Sequence, residues 1–327
     1  MNTSTFSEQT AAIPWLHRYI LLLACVTVIL LAAGALVTGN NAGLAVPDWP
    51  LSFGQWMPPM MGGVFFEHGH RMIAATVGFL TVLLTIWVLW QEKRKLVRSL
   101  AGLAMATVIM QGILGGATVL LKLPAAISIA HACLAQTFFC LLIALAWVSS
   151  SRWDTLQPER APDPVPSWLK YLSLALVAGT FLQLILGAAL RHSILGPGRE
   201  YFLLGISLHI VGAFLVLGLI IACYAVVRNQ GPRLPLFSRL GRGLLVHALL
   251  QLFLGLGSYM ARMLDRTLIS PDAPAPALSV VVITTLHLVV GAIILAGALS
   301  LALLSHRYSV GDKSASLDIP LPHQVTL

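Results

Sequence analysis

Five residues combine a type and a spacing that chemistry could use: Glu67 and four histidines, His70, His131, His209 and His287. Each histidine falls roughly four to seven residues into an apolar run, and these four runs alternate with runs that carry none at that depth. Imidazole transfers protons and ligates metals through either ring nitrogen. In an apolar segment it is costly unless it faces a partner, a cofactor or a bundle interior. Four at matched depth, in two symmetric pairs, predict two sites that each hold something between facing imidazoles. A structural zinc needs four N or S ligands and a catalytic one three plus water. Neither pair has a further ligand at that depth except Cys133, which points to another part of its helix. Haem iron needs only two axial ligands, and a four-helix bundle offers a slot for the macrocycle. The pairs His70 with His131 and His209 with His287 therefore predict two haem sites, one in each half of the chain.

The halves differ in charge. Aligned on His70 and His209, Glu67 falls on Ile206 and Arg71 on Ile210. One turn before His70, Glu67 shares its face and projects toward the same pocket; it also stands i, i+4 from Arg71, the spacing of an intrahelical ion pair, and both roles are open. A carboxylate beside a haem supports chemistry on or near the ring, whereas an apolar pocket suits electron transfer. The first half is thus the reaction candidate, with Glu67 as its catalytic residue. Arg71, Arg191, Arg199 and His192 are candidates for contact with haem propionates or for a supporting shell. His68 lies about 200° around the helix from His70 and is read as structural or supporting. His247 stands at the opposite end of its run, and His17, His306 and His323 at the edge or in the tails are read as solvated.

What must position these groups is a membrane bundle. The 327 residues are 57% hydrophobic and 10% charged, with a mean hydropathy of +0.86, too little charge to coat a water-facing surface. Eight apolar runs, near 18–38, 66–90, 100–121, 127–149, 169–190, 203–227, 243–262 and 280–304, are each long enough to span a bilayer, with no room for a soluble domain between them. With the N-terminus cytoplasmic, fourteen of the twenty Lys and Arg fall on inside segments, which orients both termini inward and puts the histidines toward the outer leaflet. The net charge of +8 is therefore an orientation signal, and nucleic acid is excluded as a partner. The first run is longer than the apolar core of a cleaved signal peptide and is read as a retained span. All four cysteines lie within apolar runs, so no disulfide framework is expected.

The charged, proline-rich stretch from Ser149 divides the chain into an N-terminal four-helix bundle at 1–150, a linker at 151–168, a C-terminal four-helix bundle at 169–308 and a tail at 309–327. The fold class expected is an all-α polytopic membrane protein of eight transmembrane helices in two pseudo-symmetric bundles. The halves echo each other: Gln111 and Gly115, Gln183 and Gly187, and Gln251 and Gly255 repeat Gln-x-x-x-Gly on odd-numbered spans. Gly69, Gly78, Gly112, Gly115, Gly116, Gly187, Gly205, Gly212, Gly255, Gly257 and Gly291 would let backbone approach a flat ring, or simply pack helices closely. The first outer connection, TGNNAGLAVPDWPLSFGQWMPPM, carries Asp48, Trp49, Phe53 and Trp56; it is either an interfacial aromatic anchor or a lid over the first pocket.

Glu67-x-x-His70-Arg71, the TG-x-x-AGL and PDWP segments before it, QGILGGATV in the third span and the four even-span histidines resemble haem A synthase, the CtaA/Cox15-type membrane enzyme that converts haem O to haem A. The resemblance covers essentially the whole chain, most specifically around the second span. It implies haem O, and haem A as product, held by His70 and His131, and a haem b cofactor held by His209 and His287. It also implies that Glu67 assists oxidation of the C8 ring methyl to formyl through successive hydroxylation. By implication a haem O synthase acts upstream, a quinol or redox protein donates electrons, and terminal oxidase assembly uses the product. The setting would be a bacterial-type inner membrane, and a homo-oligomer is compatible with it. Some bacterial members carry a cysteine pair in the first outer loop, and this chain has none there. The competing reading is a di-haem membrane cytochrome b that relays electrons from quinol without altering the porphyrin.

Overall fold

In lipid a backbone amide has no water to bond, so each segment must satisfy its own polar groups, and a helix does this within one chain segment. The computed structural model describes residues 13–155, 165–192, 199–228, 235–264 and 276–308, and among these the only regular elements are helices: α1 (Pro14–Gly39), α2 (Gly63–Gln91), α3 (Lys95–Leu120), α4 (Ala125–Ser149), α5 (Ser151–Thr155), α6 (Trp168–His192), α7 (Arg199–Arg228), α8 (Pro235–Leu264) and α9 (Leu278–Tyr308). All but α5 are long and apolar enough to cross a membrane, which gives the eight spans expected. None of the described helices has a proline in its interior: Pro14 opens α1, Pro124 is the N-cap of α4 and Pro235 opens α8, where no intrahelical N–H is lost. Several threonines inside the spans turn back on their own helix. Thr27, Thr81, Thr85 and Thr180 each donate to the carbonyl four residues earlier.

Helices α1 to α4 pack in a ring in which each touches its neighbours and α4 returns to α1; α6 to α9 repeat the arrangement, with α9 returning to α6. The rings meet where α9 packs on α1 and α4, and α4 on α6. Across this seam Trp147 Nε1 donates to Ser300 Oγ at 2.9 Å. In each ring the densest apolar core lies toward the end away from the histidines. Leu16, Ile20, Leu84, Val97, Leu142 and Leu145 fill it in the first, and Leu169, Leu176, Ile220, Phe237, Leu301 and Leu304 in the second. Side chains there are fully enclosed, which leaves the histidine end as the place where each ring can accommodate something else.

The expected 151–168 connection opens with the short helix α5, and residues 156–164 lie outside the described set, as do 1–12 and 309–327. Several spans run further than the apolar stretches predict: α8 begins at Pro235 rather than near 243, and α7 at Arg199. Hydropathy marks only the part of a helix in hydrocarbon, about 30 Å, whereas a 30-residue helix is about 45 Å long. At the end away from the histidines, Arg94 clamps the α2–α3 turn to the end of α4, bonding Glu92 at 2.8 Å and the Val148 carbonyl at 3.0 Å. Burial alone would push the Glu92 carboxyl up, but hydrogen bonds and charge from Arg94 outweigh it and hold it below its ordinary value.

Candidate functional site

Each of the four histidines lies on an even-numbered span of its ring and turns its ring onto a glycine of the span before it. A Cβ built on Gly34 of α1 would stand 3.2 Å from His70 Cε1, one on Gly115 of α3 3.3 Å from His131 Cε1, one on Gly187 of α6 3.2 Å from His209 Cε1, and one on Gly255 of α8 3.2 Å from His287 Cε1. Only a residue without a side chain leaves these rings where they are. The same contact made four times, on α1/α2, α3/α4, α6/α7 and α8/α9, gives the internal repeat a geometry. It also adds to the glycine set read from sequence. Gly34 was not in it, while Gly69, Gly78 and Gly112 face open space. Gly34 carries the right spacing, but Leu30 stands where the other three spans have glutamine, so the Gln-x-x-x-Gly signal misses it.

The rings of His209 and His287 face each other with centroids 6.3 Å apart and planes at 68°. Two imidazoles bound to one metal, with metal–nitrogen distances of about 2 Å, put their centroids about 6 Å apart. Nδ1 of all four histidines is buried without a hydrogen-bond partner. An orphaned buried nitrogen on each of four residues is expensive, and ligation of iron by one ring nitrogen with hydrogen bonding by the other would relieve it. Among the described residues no three His, Cys, Asp or Glu side chains gather as a metal site, which leaves paired imidazoles as the available ligand set. Two ligands, four matched cradles and orphaned ring nitrogens fit haem iron. The histidines lie 7 and 6 residues past the starts of α2 and α4 but 10 and 9 past those of α7 and α9, because the latter helices begin further out.

Glu67 is buried and both of its oxygens are engaged. Oε1 pairs with Arg71 Nη2 at 2.6 Å, and Oε2 accepts the Val46 N–H at 2.8 Å. The intrahelical pair is therefore present, and it is half of a larger clamp. Arg71 also donates to the carbonyls of Asp48, Leu51 and Val46, at 2.7, 3.0 and 3.2 Å, so its guanidinium is spent on the 40–61 loop. His68, also buried, bonds Ser52 Oγ through Nδ1 at 2.8 Å and pins the same loop. The loop holds itself as well. Asp48 accepts from the backbone N–H groups of Gly54 and Phe53, which keep its carboxyl below the ordinary carboxylate range. Folded down in this way, the loop lays Trp49 on α3, where a Cβ on Gly116 would come within 2.9 Å of the indole. Trp49, the α3 residues Ile113, Gly116, Ala117 and Leu120, and the C-cap Leu121 line an open apolar depression of about 350 Å³ on the outer face of α3. Gly115 and Gly116 are adjacent, so one holds His131 and the next receives the loop. The loop is fastened to α2 through Glu67, His68 and Arg71.

Arg191 donates to the Thr38 carbonyl at the end of α1 and so bridges the two rings. The side chains of His192 and Arg199 lie outside the described residues. His247 bonds the Gly243 carbonyl at 2.8 Å, a local helix contact. His17, expected to be solvated, instead bonds Ser149 Oγ at 3.3 Å, which ties the start of α1 to the end of α4. All four cysteines are free thiols.

Comparison with known proteins points the same way. Residues 62–202 match the COX15-CtaA family model, described as cytochrome oxidase assembly protein. The chain is 34% identical over 179 residues to a heme A synthase of Symbiobacterium thermophilum, covering 52% of this chain and 58% of that protein. It is 28% identical over 190 residues to a heme A synthase of Halalkalibacterium halodurans, covering 54% and 61%, and 31% identical over 128 residues to one of Caulobacter vibrioides, covering 35% and 37%. The matches span little more than half the length of the first two relatives. Both comparisons bear out the resemblance drawn from Glu67-x-x-His70-Arg71 and its neighbours; the family match contains Glu67, His70, Arg71 and His131 and stops before His209.

Proposed function

We propose that the chain is a haem A synthase, a membrane oxidoreductase that converts the C8 methyl of haem O to a formyl group. The observation that carries this reading is the pairing of two equivalent, glycine-cradled histidine sites of which, among the described residues, the first alone is joined to a charged clamp and a fastened loop. On this reading His70 and His131 hold the substrate haem by its iron, between α1/α2 and α3/α4. Glu67, fixed by Arg71 and the Val46 amide, holds a negative charge one turn from His70, where it stabilises positive charge developing at the reacting methyl carbon. The loop fastened by Arg71 and His68 excludes water from that pocket. Haem b, held by His209 and His287, supplies one-electron transfer.

The remaining features follow from the same reading. Both termini face the cytoplasm and the haem sites the outer leaflet, as the distribution of Lys and Arg supports. A haem O synthase must supply the substrate, dioxygen the oxidant for two successive hydroxylations, and a quinol or redox protein the two electrons and two protons each consumes as the second oxygen atom leaves as water; the geminal diol then loses water to give the formyl group, and terminal oxidase assembly consumes the product. Expression of the chain in cells that make haem O should bring haem A into their membranes, and the Glu67→Gln variant should hold haem O without converting it. Unchanged haem A in Glu67→Gln would remove Glu67 from the reaction, and absence of haem A with the native chain would remove the activity.

A further inference from the structure

Three glutamines recur beside the histidines. Gln111, Gln183 and Gln251 each stand four residues, one turn, before the cradle glycine of their helix and therefore on its face. Gln111 Nε2 donates to the His131 backbone carbonyl at 3.0 Å, and Gln183 Nε2 to that of His209 at 2.7 Å. Gln251 Nε2 lies 3.4 Å from His287 Nε2. In the second ring the facing helix makes room for the amide with a further glycine: a Cβ on Gly212 would stand 2.6 Å from Gln183 Nε2, and one on Gly291 3.2 Å from Gln251 Nε2. In all three pairs the glutamine Oε1 is buried without a partner, and so is Nδ1 of the histidine. An orphaned acceptor and an orphaned ring nitrogen thus occur together three times over. The fourth pair lacks the amide; the α1 group beside the His70 ring is the Leu30 backbone carbonyl, as the Gln251 carbonyl also stands beside the ring of His287. Leu30 occupies the glutamine position before Gly34, and His70 Nδ1 is orphaned with no amide on α1 to meet it.

We propose that Gln111, Gln183 and Gln251 are positioning residues for three iron ligands, their amide oxygens accepting from whichever ring N–H of His131, His209 and His287 does not hold iron, and that Leu30 leaves His70 as the exchangeable ligand of the substrate haem. The inference rests on the reading of the four histidines as iron ligands. A metal-bound imidazole donates its other N–H to an acceptor that fixes the ring and raises its basicity, and loss of that acceptor typically weakens the site about 10- to 100-fold. The asymmetry suits the two tasks. A cofactor that stays is held by two supported ligands, and a substrate that must enter and leave is held by one supported ligand and one that lets go.

The test uses the purified, haem-loaded protein, reduced and titrated with carbon monoxide, which binds only where an axial histidine yields. The native chain should bind it at the N-terminal haem and refuse it at the C-terminal haem. Leu30→Gln should weaken binding at the N-terminal haem about 10-fold. Gln183→Leu should open the C-terminal haem to carbon monoxide and raise its midpoint potential, and Gln183→Glu, which keeps an acceptor oxygen, should restore refusal. If Gln183→Leu loses its haem while Gln183→Glu keeps it, the proposal stands; loss in both counts against it. Equal binding by the native chain and Leu30→Gln, or an unchanged potential and continued refusal in Gln183→Leu, would overturn it by showing that backbone carbonyls suffice. Failure of the ligand reading itself looks different: His209→Ala and His287→Ala would then leave the haem spectra of the native chain intact.

Discussion

Replacing Gly187 with alanine tests the cradle with one methyl group. The new Cβ would meet His209 Cε1 at 3.2 Å, tighter than ordinary van der Waals contact, so the ring must withdraw by a few tenths of an ångström. His209 cannot withdraw freely, because the Gln183 amide holds its backbone carbonyl at 2.7 Å and His287 faces it at 6.3 Å between centroids. Overpacking of this kind costs about 1–3 kcal/mol. If the strain falls on the ligand geometry, haem affinity in the second ring drops about 5- to 150-fold, at about 1.4 kcal/mol per decade. Gly218→Ala, on α7 with open space at its Cβ, is the control and should keep its haem. The assay is haem b per protein after purification, read from the pyridine haemochrome spectrum, with thermal unfolding measured on the same samples. Full haem content in Gly187→Ala, matching Gly218→Ala, would refute the reasoning that these glycines exist to seat the imidazoles.

Arg71→Leu strands the buried Glu67 and three loop carbonyls, so it should destabilise the protein by about 3 kcal/mol and expose residues 40–61 to limited proteolysis; a protected loop would contradict the clamp. Trp49→Ala removes the loop's contact with Gly116, the neighbour of the glycine that seats His131, and should lower retention of substrate haem during purification while leaving the haem b signal unchanged. Ser52→Ala deletes the partner of His68 Nδ1 and should loosen the same loop by about 1 kcal/mol, visible as faster amide exchange at residues 46–54. Glu92, held below its ordinary pKa of 4.5, contributes stability that is present above that value and is lost as pH falls through its lowered folded value. Glu92→Gln should therefore flatten the acid limb of thermal stability, and an acid limb identical to that of the native chain would contradict the Arg94 clamp.

The spans were legible because lipid leaves the backbone almost no alternative to helices, and the histidines because polar groups at matched depth stand out against leucine and valine. Helix ends were less so, since Pro235 to Arg242 and Arg199 to Phe202 continue as helix through polar residues that hydropathy does not count. The pair of Glu67 with Arg71 could be read from a spacing of four. The Val46 amide that takes the other oxygen could not, because it reaches α2 from 21 residues away through a loop whose fold no periodicity encodes. Besides Glu67, Arg71 meets three loop carbonyls, which carry no sequence signature. The glycines show the limit most plainly, because Gly112 and Gly115 lie three residues apart on one helix and only packing distinguishes open space from a histidine cradle.

The central claim, that one histidine pair holds a substrate and the other a resident cofactor, is tested most directly by extracting the pigments from the purified protein and separating them by chromatography beside a reduced-minus-oxidised spectrum. Haem O or haem A accompanied by haem B in comparable amount is the predicted result. Haem B alone, filling both sites, would contradict it and identify an electron relay.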